Sequence, residues 1–257
     1  MIAAAKIQAI YRYPVKGLSP EPMQHARLEP GETLAGDRLY AIENGPSGFD
    51  PALPRHQPKA RYLMLMRNER LATLKTRFDA PSRTLVIGFE GREAVRGDLG
   101  TAQGRSAIER FFAGFCADEL RGPPRLLQAP GFSFSDVARK VVSIINLASV
   151  AALEDAMGAA IDPLRFRGNV YVTGWPAWSE LNMVGRGITI GSGARLEVVK
   201  RIVRCAATNV DPDTGIRDLA IPDALQRTYG HADCGIYAEV VSPGEVAVGD
   251  MAMANSE

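Results

Sequence analysis

Cysteine is scarce in this sequence, which contains Cys116, Cys205 and Cys234 and no others among its 257 residues. So few cysteines, in an odd number, exclude a scaffold held together by disulfides and favour a reducing compartment. We therefore predict a cytoplasmic protein. Three scattered thiols also cannot provide the four ligands of an ordinary iron–sulfur cluster. If the protein is a redox enzyme, its electrons must come from another protein.

Long hydrophobic runs and an excess of charge of one sign are also absent. The first stretch alternates apolar and polar residues as far as Pro14, which predicts neither a signal peptide nor a membrane anchor. Thirty basic residues against twenty-nine acidic ones leave a net charge of +1, so the overall charge does not indicate nucleic acid or a membrane surface as a partner. The glycine-rich loops of P-loop hydrolases and dinucleotide-binding proteins are missing as well.

Turn-forming residues divide the chain into short stretches that have the composition of β-strands. In the first half we predict strands in KIQAIYRYP, MQHARLE, RLYAIEN and RTLVIGF. In the second half we predict strands in KVVSIINL, NVYVTG, GITIGS, ARLEVVKRIV, GIYAEVV and EVAVGD. The pattern indicates a mainly β fold with a few helices, of the α+β class, arranged as a barrel or a sandwich.

Helical features are confined to a few segments. Residues 101–120 place apolar side chains at helical spacing, which predicts an amphipathic helix. A second helix follows the apolar run at 140–147, with Ser149 as its predicted N-cap, and a short third helix is predicted near 221–230. The turn RGPPR at 121–125 is the best candidate for a domain boundary. The predicted organisation is a first domain at 1–122, a second domain at 123–252 and a frayed tail at 253–257.

Positive charges precede Cys205, and a polar turn follows it. Lys200, Arg201 and Arg204 stand just before the cysteine, and a nearby cation favours the thiolate, which is the better nucleophile and soft-metal ligand. The following residues, TNVDPDTG, carry hydroxyl, amide and carboxylate groups that hold tight turns by side-chain to backbone hydrogen bonds. From these residues alone, a buried structural cysteine before an ordinary turn is as good an interpretation as a reactive site.

A zinc site is a weaker alternative. His231 and Cys234 form an H-x-x-C pair, to which Cys205 would have to add a third ligand. Structural zinc normally takes four ligands from closely spaced pairs, and no second pair is present. Ordinary packing is therefore the better interpretation of His231 and Cys234.

The stretch RCAATNVDPDTGIRD at 204–218 resembles the signature of the MOSC family, the domain named after the C-terminal part of molybdenum cofactor sulfurase. Further pieces resemble the family in the same order: YPVKG at 13–17, GDR at 36–38, RFRGN at 165–169 and AWSELNMVGRGITIG at 177–191. The resemblance covers nearly the whole chain. It implies a MOSC N-terminal β-barrel-like domain followed by a β-barrel MOSC domain. Within the family, the pattern is similar to the amidoxime-reducing components and the bacterial hydroxylaminopurine-detoxifying proteins.

The resemblance implies that Cys205 is the protein ligand of the metal in a molybdenum cofactor, molybdopterin. It also implies that Cys205 and Asp211 are the catalytic residues, with Asp211 bracing the loop or acting near the metal rather than ligating it. Guanidinium and ammonium groups suit the cofactor's phosphate, and a helix N-terminus at Ser149 offers amides to it. The implied cofactor-binding residues are Lys16, Gly17, Arg38, Ser149, Arg167, Asn169, Arg204, Cys205 and Tyr237.

Two positions depart from the common forms of these motifs, which read YPVKS and RFRPN. Gly17 removes a hydroxyl donor but keeps its backbone N–H. Gly168 replaces the rigid φ of proline with a permissive one, which predicts a looser loop and weaker cofactor retention.

Three functions are compatible with these residues. The first, implied by the resemblance, is a molybdenum-cofactor-dependent oxidoreductase that reduces N-hydroxylated small molecules with electrons from a reductase or a ferredoxin-type protein. The second is a carrier in which Cys205 holds sulfur as a persulfide or passes cofactor to another enzyme. The third is a binding module without cofactor, which only Gly17 and Gly168 favour. Neither nucleic acid nor a membrane is a predicted partner.

Overall fold

The computed structural model describes residues 4–255, which contain fifteen β-strands and three α-helices. The strands of the first half are β1 (Ala5–Arg12), β2 (Glu21–Met23), β3 (His25–Leu28), β4 (Ala41–Glu43), β5 (Lys75–Asp79), β6 (Thr84–Phe89), β7 (Arg92–Asp98) and β8 (Arg125–Leu127). The later strands are β9 (Val142–Asn146), β10 (Val170–Thr173), β11 (Gly187–Ile190), β12 (Ala194–Val203), β13 (Asp233–Ser242), β14 (Gly244–Ala247) and β15 (Met251–Ala254). The helices are α1 (Ala102–Phe115), α2 (Leu147–Met157) and α3 (Ile221–Tyr229). The predicted mainly β fold with a few helices is confirmed.

Seven strands close into a barrel in the order β10-β9-β13-β12-β11-β15-β1, and pairing of β1 with β10 completes the ring. Side chains of a strand alternate between its two faces, and β12 shows this clearly. Ala194, Leu196 and Val198 are buried, whereas Arg195 and Glu197 between them are exposed. The barrel interior is accordingly filled with aliphatic side chains. Helix α2 connects β9 to β10, the one parallel pair of the ring, because parallel neighbours need a crossover connection.

Both ends of the described chain take part in the barrel. Strand β15 lies between β1 and β11, and its Ala252 is fully buried. The expectation of a frayed tail from residue 253 is therefore corrected, because pairing with β11 orders the backbone as far as Ala254. Residues 256 and 257 lie outside the described part. The domain boundary at 121–125 stays a prediction, although β1 from the first half shares its sheet with strands of the second half.

A second core lies beside the barrel. Strands β5, β6 and β7 form an antiparallel sheet, and Ile108 and Phe112 of α1 belong to the same hydrophobic cluster as Leu85 and Ile87 of β6. The side chain of Thr101 caps α1 by accepting a hydrogen bond from Gly104 N at 3.0 Å. The predicted helix at 101–120 is confirmed over 102–115. The short polar strand β2 and strand β8 have no clear alternation and were not expected from sequence.

Helix α2 begins earlier than predicted. Its N-cap is Asn146, whose side chain accepts a hydrogen bond from Ala148 N at 3.2 Å. Ser149 therefore lies inside the first turn instead of capping it, and its hydroxyl donates to Glu180 Oε1 at 2.7 Å. Asn and Ser are comparable caps, so the tertiary contact with Glu180 decides between them. Among the described residues, no helix combines the length and the apolar character that crossing a bilayer would need.

Candidate functional site

A cavity of about 220 Å³ opens beside the C-terminal end of β12. Eight of the ten site residues predicted from sequence line it, and Ser149 and Asp211 do not. The eight are Lys16, Gly17, Arg38, Arg167, Asn169, Arg204, Cys205 and Tyr237. Its wall carries eight cationic side chains and two carboxylates, so its interior favours an anion.

Cys205 lies two residues after the end of β12 and directly precedes a 3-10 helix at Ala206–Asn209. Its side chain is partly exposed, and Lys59 Nζ lies 3.2 Å from its Sγ. Although burial disfavours the charged amine, the negative charges of Asp136 and of the sulfur raise the pKa of Lys59 above its ordinary value. An ammonium in this position stabilises negative charge on Sγ.

The other two cysteines have opposite surroundings. Cys116 and Cys234 are buried, and burial raises the pKa of each thiol to about 12. Such thiols stay protonated at neutral pH and act as small apolar groups. No three His, Cys, Asp or Glu side chains within 4–255 lie close enough to hold a metal by themselves. The sulfur of Cys205 is thus the one thiol of the chain that faces the cavity.

The loop that carries Cys205, residues 204–218, is braced from below by Arg165. This guanidinium, with a side chain only 3% exposed, donates to both oxygens of Asp218 at 2.8 Å and to Asn209 O at 3.1 Å. It also donates to Asp211 at 3.2 Å. We call residues 204–218 the Cys205 loop. The charge-assisted hydrogen bonds from the Arg165 guanidinium fix the backbone of this loop and so hold Cys205 in place.

Asp211 works inside this loop and not in the cavity wall. Its Oδ1 accepts hydrogen bonds from Thr214 N at 2.7 Å and from Asp213 N at 3.0 Å. The bonds from Thr214 come first among the causes that lower the pKa of Asp211, with Arg165 contributing. The structure therefore places Asp211 as a brace of the turn, one of the two roles expected for it from sequence.

Arg38 and Arg167 reach the cavity from two turns that share an unusual backbone conformation. Each has a φ of 49°, in the left-handed region that few non-glycine residues adopt. Their guanidinium carbons lie 4.7 Å and 4.2 Å from the ring centroid of Tyr13, which is buried. Arg38 donates to Asp37 and to Arg167 O, while Arg167 donates to Leu18 O at 2.8 Å. Cation–π contact and these bonds orient both groups.

Lys16 carries its charge into the protein interior. Its side chain is 6% exposed, and Nζ donates to Phe134 O at 2.9 Å and to the carboxylate of Asp136. Burial lowers the pKa of Lys16, and the negative charge of Asp136 opposes that shift. The next residue, Gly17, has a φ of 83°, and a Cβ there would lie 3.0 Å from Leu63 O. Glycine at position 17 is therefore suited to this backbone.

The remaining predicted residues of the cavity wall are tied to the backbone of neighbouring strands. Asn169 accepts from Ser143 N and Oγ, and donates to Tyr11 O at 3.1 Å. Arg204 donates to Cys234 O at 2.7 Å and to Phe166 O at 2.8 Å. These two residues shape the cavity with most of their polar atoms already bonded.

Tyr237 lies on β13 opposite Lys200 of β12, and burial raises the pKa of its phenol. Its ring forms one wall of the cavity.

Ser149 belongs to a separate buried network. Its Oγ donates to Glu180 Oε1 at 2.7 Å and accepts from Trp178 N at 2.8 Å. Glu180 also accepts from Asn146 Nδ2 at 2.9 Å, and burial raises the pKa of its carboxyl. The network joins α2 to the turn after β10 and leaves Ser149 away from the cavity.

Gly168 is held more firmly than the sequence suggests. Its N–H donates to Tyr171 Oη at 2.9 Å, and a Cβ at this position would lie 2.4 Å from Ile145 Cγ1. The looser loop expected from a glycine here is therefore corrected, because a side-chain hydrogen bond and close packing replace the rigidity of a proline ring.

Lys59 and Asp136 are among the cavity residues that sequence reasoning did not predict. Lys59 begins a 3-10 helix at Lys59–Arg61, and Asp136 lies in an irregular stretch before β9. Neither stretch has a periodic pattern, and 146 positions separate Lys59 from Cys205. The only local signal was a charged residue in an irregular stretch, which is ordinary for a surface loop.

Comparison with known proteins gives matches over both halves of the chain. Residues 4–115 match the family model of the MOSC N-terminal beta barrel domain, and residues 130–252 match that of the MOSC domain. Mitochondrial amidoxime reducing component 2 of Bos taurus is 31% identical over 126 residues, covering 42% of this chain and 35% of that protein. Mitochondrial amidoxime-reducing component 1 of Mus musculus is 28% identical over 119 residues, covering 42% and 34%. The matches thus span about a third of the length of these relatives.

Among solved structures, the crystal structure of the YUAD protein from Bacillus subtilis is similar, with a TM-score of 0.47 and 15% identity. The likeness covers 99% of this chain and 97% of that one.

Proposed function

Because this chain belongs to the MOSC family, we propose that it binds a molybdenum cofactor in the cavity beside Cys205 and reduces N-hydroxylated compounds with electrons from a partner protein. The observation that carries this proposal is the placement of Cys205 Sγ, 3.2 Å from the Lys59 ammonium and in one cavity with Lys16, Arg38 and Arg167.

The donor set fits such a cofactor on two counts. A thiolate is the type of ligand that soft transition metals take from a protein, and Cys205 supplies it with a cation beside it. Arginine forks and a lysine point charge are the groups that recognise a phosphate, and the cavity wall provides both. Lys16, Arg38 and Arg167 would hold the phosphate end, while Cys205 would hold the metal end.

When bound, the cofactor would supply two-electron chemistry that takes the oxygen from an N–O bond. The chain's own residues orient and enclose that chemistry. Lys59 keeps positive charge at Sγ, Tyr237 closes one wall, and the Cys205 loop holds the sulfur in place. Since Cys116 and Cys234 are buried apart from the cavity, a partner such as a reductase or a ferredoxin-type protein would deliver the electrons. The name of the two amidoxime-reducing relatives supports the choice of substrate class.

Molybdenum and pterin content per chain tests the cofactor site after expression in a host that makes the cofactor. We expect near-stoichiometric metal in the unmodified protein and loss of it in Cys205→Ala. Cys116→Ala is the matched control, because it removes a thiol from the second core and should keep the metal. Ser149→Ala, outside the cavity, should keep it too. Little metal in all four proteins would refute the cofactor site.

Reduction of N-hydroxylated substrates is tested separately on the loaded protein. With a chemical reductant, the loaded protein should convert N-hydroxylated bases and amidoximes, and Cys205→Ala should not. A loaded, reduced protein that leaves the whole panel unchanged would refute the substrate class while leaving the cofactor site intact.

The carrier function has one observation in its favour, which is that Cys205 is a free and partly exposed thiol. Mass measurement of the purified protein after thiol blocking distinguishes it from the reductase. A sulfur adduct on Cys205 without bound metal would support carriage, and a tightly held metal with pterin would support reduction.

A further inference from the structure

Residues 135–140 form part of the cavity wall with little backbone support. We call them the Asp136 segment. Ser135, Asp136 and Val137 line the cavity, and within the described chain the segment makes no hydrogen bond between backbone groups. Its ties are ion pairs of side chains, between Arg139 and Glu239 at 2.6 Å and between Lys140 and Glu32 at 2.6 Å. Surface ion pairs of this kind contribute little to stability, so displacing the segment requires little free energy.

Asp136 is the carboxylate that pairs with two cations of the cavity wall, Lys16 and Lys59. Its Oδ1 accepts from Lys16, and its Oδ2 lies 4.0 Å from Lys59 Nζ. The contrast in burial is large: the side chain of Lys16 is 6% exposed, whereas that of Asp136 is 48% exposed. The other carboxylate in the wall, Asp37, is buried and already bonded to Arg38 and to Tyr13 N. A buried ammonium without a counter-charge is costly, and Asp136 removes that cost.

We propose that Asp136 occupies the place of a ligand phosphate, and that a phosphate entering the cavity displaces it from Lys16 and Lys59. The phosphate that we assign to this place is that of the cofactor, so this part of the inference rests on the proposed function. Asp136 is then a specificity-determining residue: it admits only groups whose negative charge is strong enough to replace a carboxylate on two lysines.

The charges around Asp136 support displacement over shared occupancy. A phosphate carries more negative charge than a carboxylate and presents more acceptor oxygens to fixed cations. Arg167 and Arg38 lie together over the ring of Tyr13 in the cavity wall, where they add two further positive charges that attract a phosphate. Two anions on the same lysines repel each other, and the half-exposed carboxylate on a weakly held segment is the one that can move.

Phosphate affinity of the cofactor-free full chain tests this displacement. Inorganic phosphate is titrated calorimetrically at about pH 8, where it is mainly the dianion and carries more negative charge than a carboxylate. If Asp136 competes with phosphate, Asp136→Asn should bind it roughly tenfold more tightly than the unmodified protein. Asp155→Asn, which removes an equal charge from an exposed position on α2, should bind as the unmodified protein does. Lys16→Met should bind much more weakly. Equal or weaker binding by Asp136→Asn would overturn the proposal, since the carboxylate would then be a support for Lys16 and not a competitor.

Limited proteolysis with trypsin follows the segment itself, because Arg139 and Lys140 are cleavage sites within it. Saturating phosphate should speed cleavage at residues 135–140 of the unmodified protein and leave Asp136→Asn unchanged. Binding of phosphate without any change at 135–140 would contradict displacement. Cofactor-loaded protein should show the same faster cleavage, and loaded protein without it would overturn the assignment to the cofactor's phosphate. Because the phosphate titration needs no metal, a protein that gains no molybdenum would refute the proposed function without deciding the role of Asp136.

Discussion

The Cys205 loop and the Asp136 segment line the same cavity but are held by different interactions. The Cys205 loop is anchored by charge-assisted bonds from the buried side chain of Arg165 and by the capping bonds of Asp211. The Asp136 segment relies on exposed ion pairs and on the contact of Asp136 with Lys16. The difference shows that this cavity combines a rigid side, which carries the sulfur, with a replaceable side, which carries a carboxylate.

Gly168→Pro tests the turn at 163–168, which carries Arg167 into the cavity wall shared with the Asp136 segment, and should have the largest effect. Proline removes the N–H that donates to Tyr171 and adds ring atoms where a Cβ would already lie 2.4 Å from Ile145 Cγ1. We expect a loss of about 3 kcal/mol in the free energy of unfolding. Urea unfolding measures it, and Gly168→Ala separates the clash from the lost hydrogen bond. An unchanged midpoint for the proline variant would show that the turn at 163–168 is as adaptable as the Asp136 segment.

Arg165→Met removes the brace beneath the Cys205 loop. Asp218 and Asp211 lose their shared partner, but both carboxylates are partly exposed, which limits the cost to about 2 kcal/mol. Chemical denaturation gives the stability, and the reaction rate of Cys205 with a thiol reagent reports the loop. Arg165→Lys keeps the charge without the forked guanidinium. If its free energy of unfolding lies between those of the unmodified protein and Arg165→Met, the difference from the unmodified protein is due to the fork geometry.

Asp211→Asn tests the Cys205 loop through the pH dependence of the protein's stability. The folded state lowers the pKa of Asp211 below its unfolded value, so its contribution is present above about pH 4 and is lost as pH falls through the folded-state pKa. We expect the variant to be less stable by about 1 kcal/mol at neutral pH. Thermal unfolding over a pH series should show the difference shrinking below about pH 4. A difference that grows towards low pH would contradict this assignment.

Arg139→Ala tests the replaceable side and should have the smallest effect on stability. Its bond with Glu239 is largely exposed, so we expect a change below about 0.5 kcal/mol. Cleavage by trypsin after Lys140 should nevertheless become faster. A loss of stability as large as that of Arg165→Met would mean that the two sides of the cavity do not differ.

The strand pattern and the signature of the Cys205 loop made much of the fold predictable. Alternating residues such as those of β12 identify a strand because its two faces meet different surroundings. Lys16, Arg38 and Arg167 were recognised through motifs of the family, and the structure brings them to one cavity. Ser149 shows the limit of such reasoning: a helix start was predicted within three residues, but the partner that draws its hydroxyl away, Glu180, lies 31 positions further along the chain.

The sequence by itself determined the β-rich class, the helix at 102–115 and the chemistry offered around Cys205, since each depends on neighbouring residues and their spacing. Only the tertiary structure decided that Lys59 meets the sulfur, that Asp136 meets Lys16, and that β1 and β15 close the barrel. The physical reason is the separation of the contacting residues along the sequence. Local periodicity reports which face of an element is buried, whereas a contact across more than a hundred residues depends on how the closed barrel brings its irregular segments together.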